Sequence, residues 1–121
     1  MEDFKKIWND WCESWTITNN TEREQELQKF IAEDFKYTDP LQAVNGRAQI
    51  SDYIGQFQEQ FPGTTFVPTK ILSHHDRYLI KWDMLNEKNE VVDDGTSFAL
   101  VEDNRLKDIT GFFDVENYPN L

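Results

Sequence analysis

The segment from Phe35 to Asp39 reads FKYTD and brings a carboxylate close to two aromatic side chains. Pro40 follows directly and is predicted to end the strand. Because side chains alternate between the faces of a strand, Phe35, Tyr37 and Asp39 should share one face. Apolar surroundings raise the pKa of a carboxyl group, which can then transfer protons near neutral pH. Asp39 is therefore the first candidate for a general base, with Tyr37 as a hydrogen-bond donor beside it.

Asp39 also has a structural interpretation, because aspartate before proline is common where a strand turns. The sequence leaves both interpretations open. His74 and His75 do not suggest a metal site, since neighbours on a strand point to opposite faces and two ligands are too few. The single cysteine, Cys12, excludes an internal disulfide and a multi-cysteine zinc site. We expect no metal and no cofactor.

The N-terminal half of the chain predicts three helices that position this carboxylate. A Thr21–Glu24 capping box marks the start of the second helix, which is expected to end near Asp34. The third helix follows the turn at residues 45–46 and carries an apolar face to residue 61. The first helix has a continuous apolar stripe, formed by Phe4, Ile7, Trp8, Trp11, Cys12 and Trp15.

The remainder of the chain predicts strands over residues 65–72, 78–85, 91–101 and 106–114. Pro68 indicates an edge strand or a bulge, and Asp94-Gly95 indicates a bulge in the following hairpin. Strict alternation places Trp82 and its neighbours at residues 78, 80 and 84 on one face. Helices followed by a meander of strands predict one α+β domain over residues 1–121, with the helices packed on an antiparallel sheet.

Composition limits the classes of function. The net charge is −11, from 12 basic and 23 acidic residues, which disfavours nucleic-acid and anionic-membrane binding. Aromatic residues make up 14% of the chain, which fits a lined cavity or a large interface. The N-terminus does not read as a signal peptide, and no apolar run is long enough to cross a membrane. We expect a cytoplasmic protein.

Four segments carry a resemblance to a known family: FIAEDFKYTDP, NGRAQISDYI, HHDRYLIKWDM and DGTSFALVEDNRLKDITGFFD. In this order and spacing, the chain resembles the SnoaL-like branch of the nuclear transport factor 2-like superfamily. The resemblance implies a cone-shaped α+β barrel of the cystatin-like kind, in which a curved antiparallel sheet wraps around three N-terminal helices and encloses a pocket. Many members are homodimers that pair through the sheet, and outward-facing Leu79 and Leu85 favour the same assembly here.

The superfamily contains ketosteroid isomerases, polyketide cyclases, dehydratases, epoxide hydrolases and members that only bind, so the fold does not determine the chemistry. Asp39 matches the Asp-Pro that supplies the general base of ketosteroid isomerase. The oxyanion-hole positions of that enzyme fall near Trp11 and near Thr96 or Ser97, where this chain departs from the phenol–acid pair of the enzyme. An indole N–H and a hydroxyl are weaker donors.

Three hypotheses follow. The protein is a cofactor-independent isomerase, cyclase or lyase, in which Asp39 removes a proton and Tyr37, Trp11 or Ser97 holds the enolate oxygen. Alternatively, it binds a small apolar or carbonyl-bearing molecule without catalysis, or it is a protein-interaction module. We expect ligand contacts from Trp8, Trp11, Trp15, Tyr53, Phe57, Trp82, Ser97 and Phe112.

Overall fold

The computed structural model describes residues 2–118. Three helices pack against one curved, open sheet of six strands in the order β2-β1-β6-β5-β4-β3. The α+β class with helices inside a curved sheet is thereby confirmed; the sheet is mixed, because β1 and β6 run parallel. The elements are α1 Glu2–Ser14, α2 Asn20–Leu27, β1 Ile31–Thr38, β2 Ala43–Asn45, α3 Gly46–Gln60, β3 Thr65–His74, β4 Arg77–Leu85, β5 Val91–Glu102, β6 Arg105–Phe112 and a 3₁₀ turn Val115–Asn117.

Helix α1 has the predicted apolar stripe. Phe4, Trp8 and Trp11 are buried, and Trp15 is buried just after the last turn. The ring of Phe4 stacks on that of Tyr78 in β4, with centroids 3.7 Å apart. The stripe therefore lies on the inner face of the sheet. No helix within residues 2–118 is long and apolar enough to span a membrane.

Helix α2 differs from the prediction at both ends. Its N-cap is Asn19, whose side chain accepts a hydrogen bond from the Glu22 amide at 2.9 Å, so the predicted capping box at Thr21 is wrong. The helix also ends at Leu27 rather than near Asp34. Strand pairing explains the early end, because the backbone from Ile31 onward joins the sheet beside β6. Tertiary hydrogen bonding outweighed the local helical pattern.

Strands β3 and β4 of the meander follow the predicted patterns. On β4, Ile80, Trp82 and Met84 are buried, whereas Lys81 between them is exposed. Strand β3 is the edge of the sheet, and its register shifts just after Pro68, as the proline predicted. These strands place Trp82 on the concave face, toward the helices.

The predicted bulge at Asp94-Gly95 is wrong. Gly95 pairs directly with Trp82, and Asp94 with Asp83; the register between β4 and β5 shifts further along, between Met84 and its neighbour. Gly95 is instead required by packing, because a Cβ at this position would lie 2.3 Å from an indole carbon of Trp82. The glycine leaves room for the Trp82 ring to lie across β5.

Candidate active site and binding cavity

Asp39 is 8% exposed and accepts four hydrogen bonds. Its Oδ2 accepts from the hydroxyls of Tyr37 at 2.8 Å and Tyr53 at 2.7 Å. Its Oδ1 accepts from the backbone amides of Leu41 at 2.8 Å and Gln42 at 3.0 Å. An ionised carboxylate offers about four lone-pair positions, so this arrangement fills its capacity to accept.

Local structure explains why the carboxylate lies there. Phe35 and Tyr37 are buried on one face of β1, and Asp39, directly after the strand, is buried as well, as alternation predicts. Beyond Pro40 the chain turns back toward β2, and the Asp39 amide donates to the Gln42 carbonyl at 2.9 Å. Asp39 therefore holds a turn through its Oδ1, as the structural interpretation predicts, and it also faces the interior. Its role as a general base stays a prediction.

Both phenols beside Asp39 remain protonated over a wide pH range. Burial raises the pKa of Tyr37 well above its ordinary value, and the negative charge of Asp39 adds to the effect. The pKa of Tyr53 is also raised, first by burial and then by Asp39. A protonated phenol keeps its hydroxyl proton available, so Tyr37 and Tyr53 act as donors to the carboxylate.

A cavity of about 50 Å³, measured as the space open to the centre of a water-sized sphere, lies next to this carboxylate. At roughly 10–15 Å³ per water, it holds about three to five waters or a ligand of similar size. Ten of its fourteen wall residues are aromatic, and all four tryptophans are among them. The wall consists of Trp8, Trp11, Cys12, Trp15, Tyr37, Asp39, Leu41, Tyr53, Phe57, Phe66, Trp82, Ser97, Phe113 and Tyr118.

Most of the predicted contact residues therefore meet in one wall; that they contact a ligand stays a prediction. Phe112 is the exception, since it is 60% exposed and outside the wall. Ile109 and Gly111 face inward on β6, so alternation turns Phe112 outward and brings Phe113 over the cavity. The expectation for Phe112 was wrong by one residue.

Sequence reasoning missed five wall residues. Cys12 was placed in the α1 stripe but was not assigned to a cavity; burial raises the pKa of its thiol to about 12. Phe66 and Phe113 follow from strand alternation, which was the available signal. Leu41 lies in the turn after Pro40. Tyr118 comes after the last strand, where no periodic pattern exists; its hydroxyl donates to Asp93.

The polar atoms of the wall are few. The hydroxyl of Ser97 accepts from the indole nitrogen of Trp82 at 3.0 Å, which leaves its own proton free to donate. The indole nitrogen of Trp8 is buried and has no hydrogen-bond partner among residues 2–118. Asp39 is the one charged residue of the wall in this described part of the chain. The cavity wall thus combines apolar rings, one carboxylate and the available hydroxyl proton of Ser97.

Comparison with known families decides the assignment. The family model described as a SnoaL-like domain matches residues 10–109. The chain belongs to the SnoaL-like family. No curated protein matches the chain.

Solved structures share the fold of this SnoaL-like protein. A protein of Agrobacterium tumefaciens C58, provisionally assigned as an isomerase of the SnoaL-like family, is 24% identical with a TM-score of 0.85; the match covers 94% of this chain and 99% of that one. A hypothetical protein of Catenulispora acidiphila with a ketosteroid isomerase-like fold, in complex with trimethylamine, is 17% identical with a TM-score of 0.72; the match covers 90% of this chain and 85% of that one. A provisional polyketide cyclase of Jannaschia is 14% identical with a TM-score of 0.66 over 78% and 74%.

Proposed function

We propose that this SnoaL-like protein binds a small, largely apolar molecule in the cavity, beside the carboxylate of Asp39. The observation that carries the proposal is the convergence of ten aromatic wall residues on one buried carboxylate. An apolar cavity with a few well-placed polar groups is the usual form of a small-molecule site. The trimethylamine complex of the Catenulispora protein supports a small ligand for this fold.

The hydrogen bonds of Asp39 favour binding over catalysis. A general base needs a free lone pair to take up a proton, and the four donors occupy the lone pairs of Asp39. The hydroxyl protons of Tyr37 and Tyr53 point to Asp39 rather than into the cavity, so they do not form an oxyanion hole. Proton abstraction would first require one of these bonds to break.

The second candidate function is a cofactor-independent isomerase, cyclase or lyase that acts on a carbonyl-bearing substrate. The observation in its favour is an available donor, the hydroxyl of Ser97, in the wall that also contains Asp39. Such a donor stabilises a developing enolate oxygen. Asp39 would be the general base, with Tyr37 as its positioning residue.

The indole resonances provide the test of binding, because all four tryptophans line the cavity. NMR titrations of the four indole N–H signals with acetone, tert-butanol and tetramethylammonium should shift several signals in the wild-type protein. Gly111→Ala should weaken the shifts, because its new methyl group would lie 3.5 Å from the Asp39 Cβ and 4.0 Å from the Ser97 hydroxyl, in contact with two wall residues. If none of the three probes shifts an indole signal, the binding proposal is overturned.

Catalysis is tested separately with acetone in D₂O. An enzyme that removes a proton next to a carbonyl would catalyse deuterium incorporation into acetone, and Asp39→Asn would abolish it. Tyr78→Phe is the control, since Tyr78 stacks on Phe4 outside the wall. If acetone incorporates deuterium no faster with the wild-type protein than in buffer alone, the enzymatic function is ruled out and ligand binding remains as the proposed function.

We also propose that two copies pair through the outer face of the sheet. Leu72, Leu79 and Phe98 lie side by side across β3, β4 and β5, and Leu72 is 52% exposed. The adjoining rows are charged and of opposite sign: Lys70 beside Lys81, then Asp83 beside Asp94. A two-fold axis between these rows would bring basic against acidic residues of the second copy.

Light scattering tests the assembly. The wild-type protein should have twice the 14.4 kDa mass of one chain, and Leu79→Lys should reduce it to one chain. Val115→Lys, an equally charged change at an exposed residue outside the sheet, should leave the dimer intact. A wild-type mass of one chain at micromolar concentration would contradict the proposal.

A further inference from the structure

We propose that the cavity selects a small organic cation that carries no N–H group, of the tetramethylammonium class. This inference rests on the proposed ligand-binding function and specifies the ligand chemistry. It follows from the charge of the cavity, the saturation of its carboxylate, and the rings that surround that carboxylate.

The cavity has a negative charge without a counter-charge. Asp39 lies in a wall that contains no Lys, Arg or His within residues 2–118. The salt bridges of this part of the chain involve Asp10, Glu26 and Asp34, which are other carboxylates. A buried charge without an opposite partner is costly, so a bound cation would stabilise this site more than a neutral molecule would. The net charge of −11 also raises the local concentration of cations.

The hydrogen bonds of Asp39 determine which kind of cation fits. Its oxygens already accept from Tyr37, Tyr53 and two backbone amides. A primary ammonium would require three acceptors to replace the water that it loses, and this carboxylate has no free position. A fully methylated ammonium has no N–H, so it interacts through its charge alone and leaves these bonds intact. The saturated carboxylate thus discriminates against ordinary amines.

The rings next to Asp39 suit such a cation. Tyr37 lies 5.8 Å from Tyr53, 5.9 Å from Trp11 and 6.4 Å from Trp15 between ring centroids. Their planes are inclined by 37° to 54° to that of Tyr37, so the rings form a cluster of differing orientations rather than a parallel stack. Aromatic clusters of this kind bind quaternary ammonium groups through cation–π attraction. The cavity volume of about 50 Å³ corresponds to roughly three to five non-hydrogen atoms.

The experiment compares three probes that each have five non-hydrogen atoms and differ in charge or in N–H groups. Tetramethylammonium, tert-butylammonium and tert-butanol are titrated into the wild-type protein at constant ionic strength, with the indole N–H signals as readout. We expect tetramethylammonium to bind about tenfold more tightly than tert-butanol, because cation–π and charge attraction are added to the apolar contact. tert-Butylammonium should bind more weakly than tetramethylammonium, because Asp39 has no free position to accept its N–H groups, and equal or tighter binding of tert-butylammonium would overturn the inference.

Two variants separate charge from shape. Asp39→Asn keeps the size of the side chain and removes its charge, so it should retain tert-butanol binding and lose the preference for tetramethylammonium. Asp103→Asn, at an exposed residue of the turn between β5 and β6, changes the net charge equally and should keep the preference.

Several outcomes would overturn the inference. Equal affinity for tert-butanol and tetramethylammonium would do so, as would a preference that persists in Asp39→Asn. Tighter binding of acetone than of tetramethylammonium would likewise overturn the cation inference while supporting the binding function. Absence of binding by every probe would overturn both.

Discussion

Arg23 and Asp39 are the two buried charged side chains of the described residues, at 2% and 8% exposure. Neither is held by an ion pair. The guanidinium of Arg23 donates from Nε to the Ile17 carbonyl at 3.0 Å, from Nη1 to the Ser51 carbonyl at 2.6 Å, and from Nη2 to the Gln58 side chain at 3.1 Å. Arg23 and Asp39, each with its hydrogen-bond partners, thus form two charge centres, the Arg23 centre and the Asp39 centre. In both, neutral hydrogen-bond partners stabilise the buried charge.

The surroundings of the two centres differ. Arg23 joins the α1–α2 loop, α2 and α3, and Gly55 lets α3 approach it, since a Cβ there would lie 3.4 Å from Nη1. Arg23 is not part of the cavity wall, whereas Asp39 is. Burial of a charge thus does not by itself indicate function, because a satisfied charge can serve packing alone. The adjoining cavity is what marks Asp39 as a candidate site.

The largest expected effect comes from Arg23→Ala. The change removes a large buried side chain and leaves backbone and amide acceptors without donors, so we expect a loss of about 3–5 kcal/mol in the free energy of unfolding. Urea unfolding measures it. Arg77→Ala, which removes an exposed arginine, should change stability by less than about 0.5 kcal/mol. If Arg23→Ala lowered the free energy of unfolding by less than about 1 kcal/mol, the structural role of Arg23 would be contradicted.

Asp39→Ala should have a smaller effect on stability, about 1–3 kcal/mol, although it leaves four donors unpaired. The cavity beside Asp39 can admit water to the two phenols, which is not the case around Arg23. Asp39→Asn should cost less than Asp39→Ala, because its carbonyl still accepts from the turn amides. A loss equal to that of Arg23→Ala would mean that both centres are purely structural.

Alkaline pH should destabilise the Asp39 centre. The pKa values of Tyr37 and Tyr53 are raised in the folded state, so the unfolded chain loses these protons first. The stabilisation contributed by these two tyrosines is complete below about pH 10 and falls above it, by up to about 1.4 kcal/mol per pH unit for each tyrosine. Tyr118 and Cys12 also have raised pKa values and add to the decline, so the comparison with a Tyr53 variant isolates the Asp39 centre. Urea unfolding between pH 8 and 11 should show a shallower decline in Tyr53→Phe than in the wild type. If the free energy of unfolding fell equally with pH in Tyr53→Phe and in the wild type, the two tyrosines and the carboxylate would not form a coupled centre.

Gly111→Ala should have the smallest effect on stability and a larger effect on ligand binding. Its new Cβ would make ordinary contacts at 3.5 Å with Asp39 Cβ and 3.6 Å with Tyr37 Oη, so we expect a change below about 1 kcal/mol. Gly95→Ala is the contrasting variant, because its Cβ would collide with Trp82 at 2.3 Å. Unfolding curves for the two variants should therefore differ clearly, and equal losses would be contrary to the described packing.

Local periodicity was sufficient to predict the parts of the fold that depend on one element at a time. The apolar stripe of α1 and the alternation of β4 assign Trp8, Trp11 and Trp82 to the interior before any tertiary contact is known. The same alternation joins Tyr37 to Asp39 on one face of β1. Periodicity fails where the chain leaves regular structure, as at Tyr118, and where strand pairing ends a helix early, as in α2.

The sequence by itself determined which side chains face inward, because the periods of helices and strands are properties of the local backbone. Only the tertiary structure decided what those side chains meet. Tyr53 reaches Asp39 from α3, Arg23 is enclosed by α3 and a loop, and Phe113 rather than Phe112 closes the cavity. Distances between elements, the hydrogen bonds that saturate Asp39 and the size of the cavity depend on how the helices pack against the curved sheet, which no local pattern records.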